Sequence, residues 1–151
     1  MPKSKWNPQM YYRFLHQKRE TELFLSALRL GVFSHLEDWK TPEEVSRKTG
    51  WSARSLAFYL NALASIGLLE KNGSSYRNTP QSNKYLNQNS SIYLGECILF
   101  RERMMSLDNL DERVMKGPVN TIFQNNKGVE VYDFYEAARV SVPEMYAGRV
   151  Q

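Results

Sequence analysis

Residues 51–71, WSARSLAFYLNALASIGLLEK, narrow the possible folds more than any other stretch of the chain. Ser52 is a residue type that caps helix N-termini, and Leu56, Leu60, Leu63 and Gly67 recur on one helical face. The spacing predicts an amphipathic helix with that stripe in the core. SIGLLEK then runs into a strand. NGSS and YRNT predict a hairpin turning at Asn72–Gly73. Just upstream, TPEEVSRKTG carries a complete set of helix signals: Thr41 as N-cap, Pro42 at the first helical position, Glu44 closing a capping box and Gly50 as the stop. Helix, turn, helix and hairpin in this order make a winged helix.

The flanks read as further helix. PQMYYRFLHQKRE and TELFLSALRLGVFSHL place Tyr12, Leu15, Leu23, Ala27, Leu28 and Leu30 at helical spacings, with Gly31 ending the run. Pro80 starts a short helix, PQSNKYL. From Ser91 to Lys116 the pattern predicts one long helix with two apolar stripes. Cys97, Phe100, Met104 and Leu107 form one; Leu94, Ile98 and Met105 form the other. A helix apolar on two sides is packed between neighbours. The expected class is mainly α: N-terminal helices over 1–40, a winged helix-turn-helix with a small hairpin over 41–79, and a long helix plus C-terminal segment over 80–151, all in one compact domain.

Several function classes are disfavoured. The formal charge is +4, but residues 1–29 hold six Lys/Arg against two Glu, leaving 14 of each sign in the rest. The basic excess is therefore an N-terminal feature. No run approaches the ~18 apolar residues of a membrane span, and MPKSKWNPQ has no apolar stretch behind its lysines, unlike a secretory signal. One cysteine, Cys97, fits a reducing compartment, so a cytoplasmic location is expected. His16 and His35 stand alone without metal-ligand spacing. The eight glycines form no phosphate-cradling loop. Taken alone, the chain is expected to be no enzyme, with no catalytic residue, metal or bound cofactor.

The predicted recognition helix is also poorly furnished for DNA. Opposite Leu56 lie Arg54, Phe58, Asn61 and Ser65, flanked by Ser55 and Ala62. Groove binding needs donors for base edges and flanking cations for phosphates. Residues 41–79 hold five basic and three acidic residues, few for a free-standing DNA binder. Phe58 beside Ala62 suits a protein surface better than a groove.

The order of these motifs resembles the N-terminal domain of S-adenosylmethionine-dependent small-molecule O-methyltransferases. The resemblance rests on Leu30-Gly31-Val32-Phe33, Thr41 to Val45, Leu60 to Leu69 and Tyr76 to Pro80, with the later KGP and YDFYE also in the family's order. It covers roughly residues 20 to 149. It implies a winged helix that does not bind DNA but intertwines with a second copy and helps roof the acceptor pocket of a catalytic domain. That domain, with its Gly-rich cofactor loop and catalytic histidine, is absent here, and neither His16 nor His35 matches the histidine. The resemblance thus implies a homodimer, S-adenosylmethionine in the full-length protein only, and a small aromatic acceptor, with neither specific nucleic acid nor membrane as partner. Expected interface residues are Tyr12, Leu15, Leu23, Phe58, Leu94, Ile98 and Met105. Expected pocket residues are Phe100, Arg103, Met104, Phe134, Tyr135, Met145 and Tyr146. A winged-helix transcription regulator remains the alternative, with the N-terminal arm, Lys71 and Arg77 as its cationic groups.

Overall fold

The computed structural model describes residues 6–117. Its architecture is mainly helical with one two-stranded antiparallel sheet. The chain divides into two compact units at Asn83/Lys84.

In the first unit, the two N-terminal helical runs merge into a single helix, α1 (Gln9–Leu30). It stops where expected: Gly31 takes a left-handed conformation (φ 66°), and its N–H reaches the carbonyls of Ala27 and Leu28. Only glycine adopts that backbone without strain. All buried residues of α1 (Leu25, Ala27, Leu28) fall in its last two turns. A 3-10 turn, Val32–His35, follows. Helix α2 (Pro42–Thr49) has the anticipated capping box: Thr41 Oγ1 accepts from the Glu44 N–H (3.2 Å), and Glu44 Oε1 accepts from the Thr41 N–H (3.2 Å). The Thr41 N–H and the Thr41 hydroxyl (3.1 Å) both donate to the Glu44 carboxylate and hold it below its ordinary pKa, the backbone bond contributing more.

Helix α3 (Ala53–Ser65) is capped by Ser52, whose hydroxyl accepts from the Ser55 N–H. It packs on α2, on α1 and on strand β1 (Leu69–Asn72). Leu60 and Leu63 are fully buried and Leu56 nearly so, joined by Phe33, Leu36, Leu28 and Val45. Gly67 departs from the expectation: it is exposed, not part of the core stripe. The helix has already ended at Ile66, and Gly67 adopts φ +86° to turn the chain into β1. A Cβ there would meet nothing within 4 Å, so the glycine serves backbone conformation and not packing.

Strand β2 (Ser75–Asn78) pairs with β1 in the register Leu69↔Asn78 to Asn72↔Ser75. The turn residues are therefore Gly73–Ser74, one position later than the Asn72–Gly73 reading, with Gly73 at φ 60° in the first central position as a type II′ turn requires. The other edge of β2 is bridged by Lys40, through Lys40 N–Tyr76 O (2.9 Å) and Tyr76 N–Lys40 O (2.8 Å). Asn78 closes the corner. It is buried, its backbone N–H donates to Leu36 O (2.8 Å), and its side-chain amide donates to Phe33 O (2.7 Å). Helix α4 (Pro80–Tyr85) follows.

The second unit corrects the long-helix expectation. In place of one helix over Ser91–Lys116 there are two, α5 (Gly95–Met104) and α6 (Leu110–Lys116). The Tyr93 ring lies over Gly95, the first residue of α5, where any Cβ would collide with it. Beyond Met104 the Ser106 side chain offers the backbone a competing partner. The Ser106 hydroxyl accepts from the Asp108 N–H (3.1 Å). Asn109 is left-handed (φ 59°). Arg113 then donates to the carbonyls of Ser106 and Asp108, each at 2.9 Å. The two continuous stripes are consequently broken: Cys97 and Phe100 are buried, but Met105 and Leu107 lie beyond α5 and are exposed.

Candidate functional site

Two surfaces of the first unit bear on function. The outer face of α3 carries Arg54, Phe58, Asn61 and Ser65, all exposed, as the periodicity predicts. Asn61 and Ser65 already have partners within the chain. Lys71 Nζ, on the hairpin, donates to Asn61 Oδ1 (2.7 Å) and sits 5.6 Å from the centre of the Tyr76 ring. Arg77 donates from Nε to Glu70 Oε2 (2.6 Å) while its guanidinium lies 4.5 Å above the Trp39 ring. The amide best placed to read an adenine edge is thus held by the hairpin, and both hairpin cations are engaged. Arg54 is left as the cation of α3 itself. Each such exposed pair is individually weak, ~1 kcal/mol or less, but a DNA reader needs those donors free.

The second surface is apolar. Trp6, Met10, Tyr11, Tyr12, Phe14 and Leu15 are each more than half exposed, and residues 9–22 of α1 have no buried member. Single exposed apolar residues are ordinary; six within ten positions are not. Of the expected interface residues, Tyr12 and Leu15 lie in this arm and Leu23, half-buried, continues it. Phe58 is on α3 and 72% exposed. Leu94 and Ile98 are half-buried and Met105 exposed, all in the second unit. Trp6, Met10, Tyr11 and Phe14 went unpredicted. The signal was there, since WNPQMYYRFL puts aromatic or aliphatic groups on every side of the helix and no single face of its own chain can cover them.

At its C-terminal end the arm runs into a shallow groove of about 280 Å³ between α1 and the start of α3, lined by Ser26, Leu30, Trp51, Ser52, Ser55, Leu56 and Tyr59. The Tyr59 and Ser26 hydroxyls hydrogen-bond each other at 2.6 Å, and Ser26 also donates to Leu23 O (3.0 Å). Burial raises the pKa of Tyr59, which is neutral at physiological pH. The groove therefore presents mainly hydrocarbon, with the Ser26 and Tyr59 hydroxyls bonded to each other. A second, polar pocket of about 260 Å³ lies among His35, Lys40, Glu44, Arg47 and Lys48. His35 stacks edge-on against Trp51 with ring centroids 5.6 Å apart, and burial, reinforced by Lys48, lowers its pKa.

Of the expected acceptor-pocket residues, Phe100 is buried in α5, Met104 is half-buried at its last turn and Arg103 is exposed. Phe134, Tyr135, Met145 and Tyr146 lie outside the described residues. The described residues do not fit S-adenosylmethionine. Their one sheet is the β1–β2 hairpin, and their positive-φ glycines sit singly at turns or helix ends rather than in a strand–loop–helix cradle. No group of three or more His, Cys, Asp or Glu among the described residues is placed to hold a metal, and no described helix is long and apolar enough to cross a membrane.

A winged helix with an apolar helical arm and an outward helix tied down by its own hairpin defines a class of protein-associating winged-helix domains. The family model of the O-methyltransferase dimerisation domain matches residues 12–88, and the chain belongs to that family. It is similar to the N,N-dimethyltransferase OxyT of Streptomyces rimosus, at 37% identity over 79 residues, which make up 52% of this chain and 23% of that protein. Among solved structures, an O-methyltransferase family protein from Burkholderia thailandensis superposes with a TM-score of 0.73 at 23% identity, covering 91% of this chain and 43% of that one. Human N-acetylserotonin methyltransferase, solved in complex with S-adenosylmethionine, superposes with a TM-score of 0.59 at 21% identity, covering 91% and 44% respectively. The chain thus spans less than half the length of each of these relatives.

Proposed function

We propose that this domain pairs two copies of an S-adenosylmethionine-dependent methyltransferase and helps cover the acceptor pocket of a catalytic domain supplied elsewhere in the full-length protein. The observation that carries the reading is the arm: six large apolar side chains around the first turns of α1, each more than half exposed. Burying one such side chain is worth about 1.5–3 kcal/mol, so a second copy that covers several of them on each side gains enough to associate at micromolar concentration. The family's description as a dimerisation domain supports this. The acceptor is a small aromatic molecule. Phe100, Arg103 and Met104, with Phe134, Tyr135, Met145 and Tyr146, are assigned to its pocket, apolar walls with one charge at the rim. Leu94, Ile98, Met105 and Phe58 are assigned to the interface. The N-terminal helices, winged helix and C-terminal part act as one dimerising module in the cytoplasm, binding neither specific nucleic acid nor membrane. The self-engaged Asn61, Lys71 and Arg77 support the exclusion of DNA.

Light scattering at micromolar concentration tests the reading and should return twice the 17.6 kDa chain mass. A cooperative melt from a clean monomer refutes it. Calorimetric titration of this chain with S-adenosylmethionine should show no micromolar site.

A further inference from the structure

The groove between α1 and α3 and the exposed arm lie on one stripe of the same helix. At 100° per residue, Tyr12, Leu15, Arg19, Leu23, Ser26 and Leu30 fall within a sector of roughly 80° around α1. Ser26 and Leu30 form one wall of the groove, with Trp51, Ser55 and Tyr59 opposite. The stripe is therefore a large aromatic group at one end and an empty apolar slot at the other. The Ser26 and Tyr59 hydroxyls are bonded to each other and Ser52 Oγ caps α3, so most of the slot's polar groups are already engaged within the chain and its walls are mainly hydrocarbon.

Tyr12 cannot reach that slot in its own chain. It is separated from Leu30 by eighteen positions of one continuous helix, a rigid span of about 27 Å. It can reach the slot of another copy. Resting on the homodimer reading above, we propose that the groove receives Tyr12 and Leu15 of a second copy, with the two α1 helices antiparallel about a two-fold axis at residue 21. That arrangement fills both slots at once, as a closed two-fold interface must. It also brings Arg19 beside the partner's Glu22 next to the axis, twice by symmetry. The internal Glu22–Arg29 pair that would have to loosen is long (3.7 Å) and exposed, hence weak. A parallel pairing would instead set Arg19 against its own copy and leave both slots empty.

Cysteine pairing reads the register directly. Tyr12→Cys and Leu30→Cys change side chains that are 57% and 48% exposed, so neither disturbs the core, and Cys97 is buried, which makes the wild-type chain the blank. Two differently tagged chains, one with each substitution, are co-expressed and oxidised mildly. The expected result is a covalent heterodimer from the mixed pair and none from either variant alone, since a disulfide needs Cα atoms within about 7 Å. A disulfide formed by Tyr12→Cys alone overturns the antiparallel register. So does a mixed pair that light scattering shows to be dimeric but that does not cross-link, and in that case the homodimer reading stands. A monomeric wild-type chain removes both. As a second measurement, Tyr12→Ala should weaken dimerisation at least tenfold; unchanged association overturns the slot as its site.

Discussion

Asn78 is the residue on which the joint between the hairpin and the first helices depends, and its replacement separates two kinds of contribution. In Asn78→Ala the amide bond to Phe33 O (2.7 Å) is lost, a net ~1 kcal/mol, and the buried carbonyl loses its better donor, costing about 1–2 kcal/mol more. The carbonyl keeps a longer bond from the Leu36 N–H (3.3 Å), which holds that cost to the low end. Against this, Asn78 Oδ1 is buried without a hydrogen-bond partner, so removing it recovers up to ~1 kcal/mol. The sum is about 1–2 kcal/mol. For a unit of this size, roughly 4–8 °C per kcal/mol gives a melting point about 4–16 °C lower. Asn78→Asp is the decisive companion. It conserves shape but replaces the donor by a carboxylate facing the Phe33 carbonyl, so it should melt lower still at pH 7 and recover in part at pH 4. Both are read by circular dichroism at one fixed chain concentration, because the melt of an associating chain shifts with concentration. If Asn78→Asp melts within about 3 °C of wild type at pH 7, the amide donor is not what holds the corner.

Three further outcomes follow from the same geometry. Leu60→Ala, at a fully buried position, should cost about 2–5 kcal/mol through the cavity it leaves, measured by urea titration. His35 has a folded pKa below its ordinary value of 6.5, so the unfolded chain takes up the proton first as the medium is acidified. Stability is complete above that ordinary value and declines as pH falls below it towards the folded value, and His35→Gln should flatten that part of the urea-midpoint profile. Binding to a DNA duplex should be weak, indifferent to sequence and abolished by moderate salt; a tight footprint lost in Arg54→Ala would restore the regulator reading.

How much of this could be read before the structure varies with the range of the interaction. The α2 capping box was fully visible because its bonds span three residues, Thr41 to Glu44. The buried face of α3 was visible because Leu56, Leu60 and Leu63 repeat with the helix. The break between α5 and α6 was hidden by apolar periodicity that runs on through Met105 and Leu107, while the segment itself is marked by local bonds among Ser106, Asp108 and Arg113 and by a left-handed Asn109. Gly67 matched the helical phase, yet its role is the turn beyond the helix end. The engagement of Asn61 by Lys71 and of Arg77 by Trp39 joins residues ten and thirty-eight positions apart, and no spacing rule reveals such pairs. In the arm, helical phase singles out Tyr12 and Leu15, while Trp6, Met10, Tyr11 and Phe14 were legible only from the apolar groups on every side of WNPQMYYRFL, and the core's end near Leu25 makes their exposure plain.

The uncovered first part of α1 also couples secondary structure to population. Residues 9–22 have no buried side chain of their own chain to lean on, and a helix of about that length is marginal in water by itself. Its backbone order is therefore set by what lies against it. On serial dilution the far-ultraviolet helical signal of this segment should fade while the capped and buried helices α2 and α3 keep theirs. Amide exchange should divide at about Leu23 into a fast N-terminal half, whose protection depends on how many chains are present, and a slow half, whose protection does not.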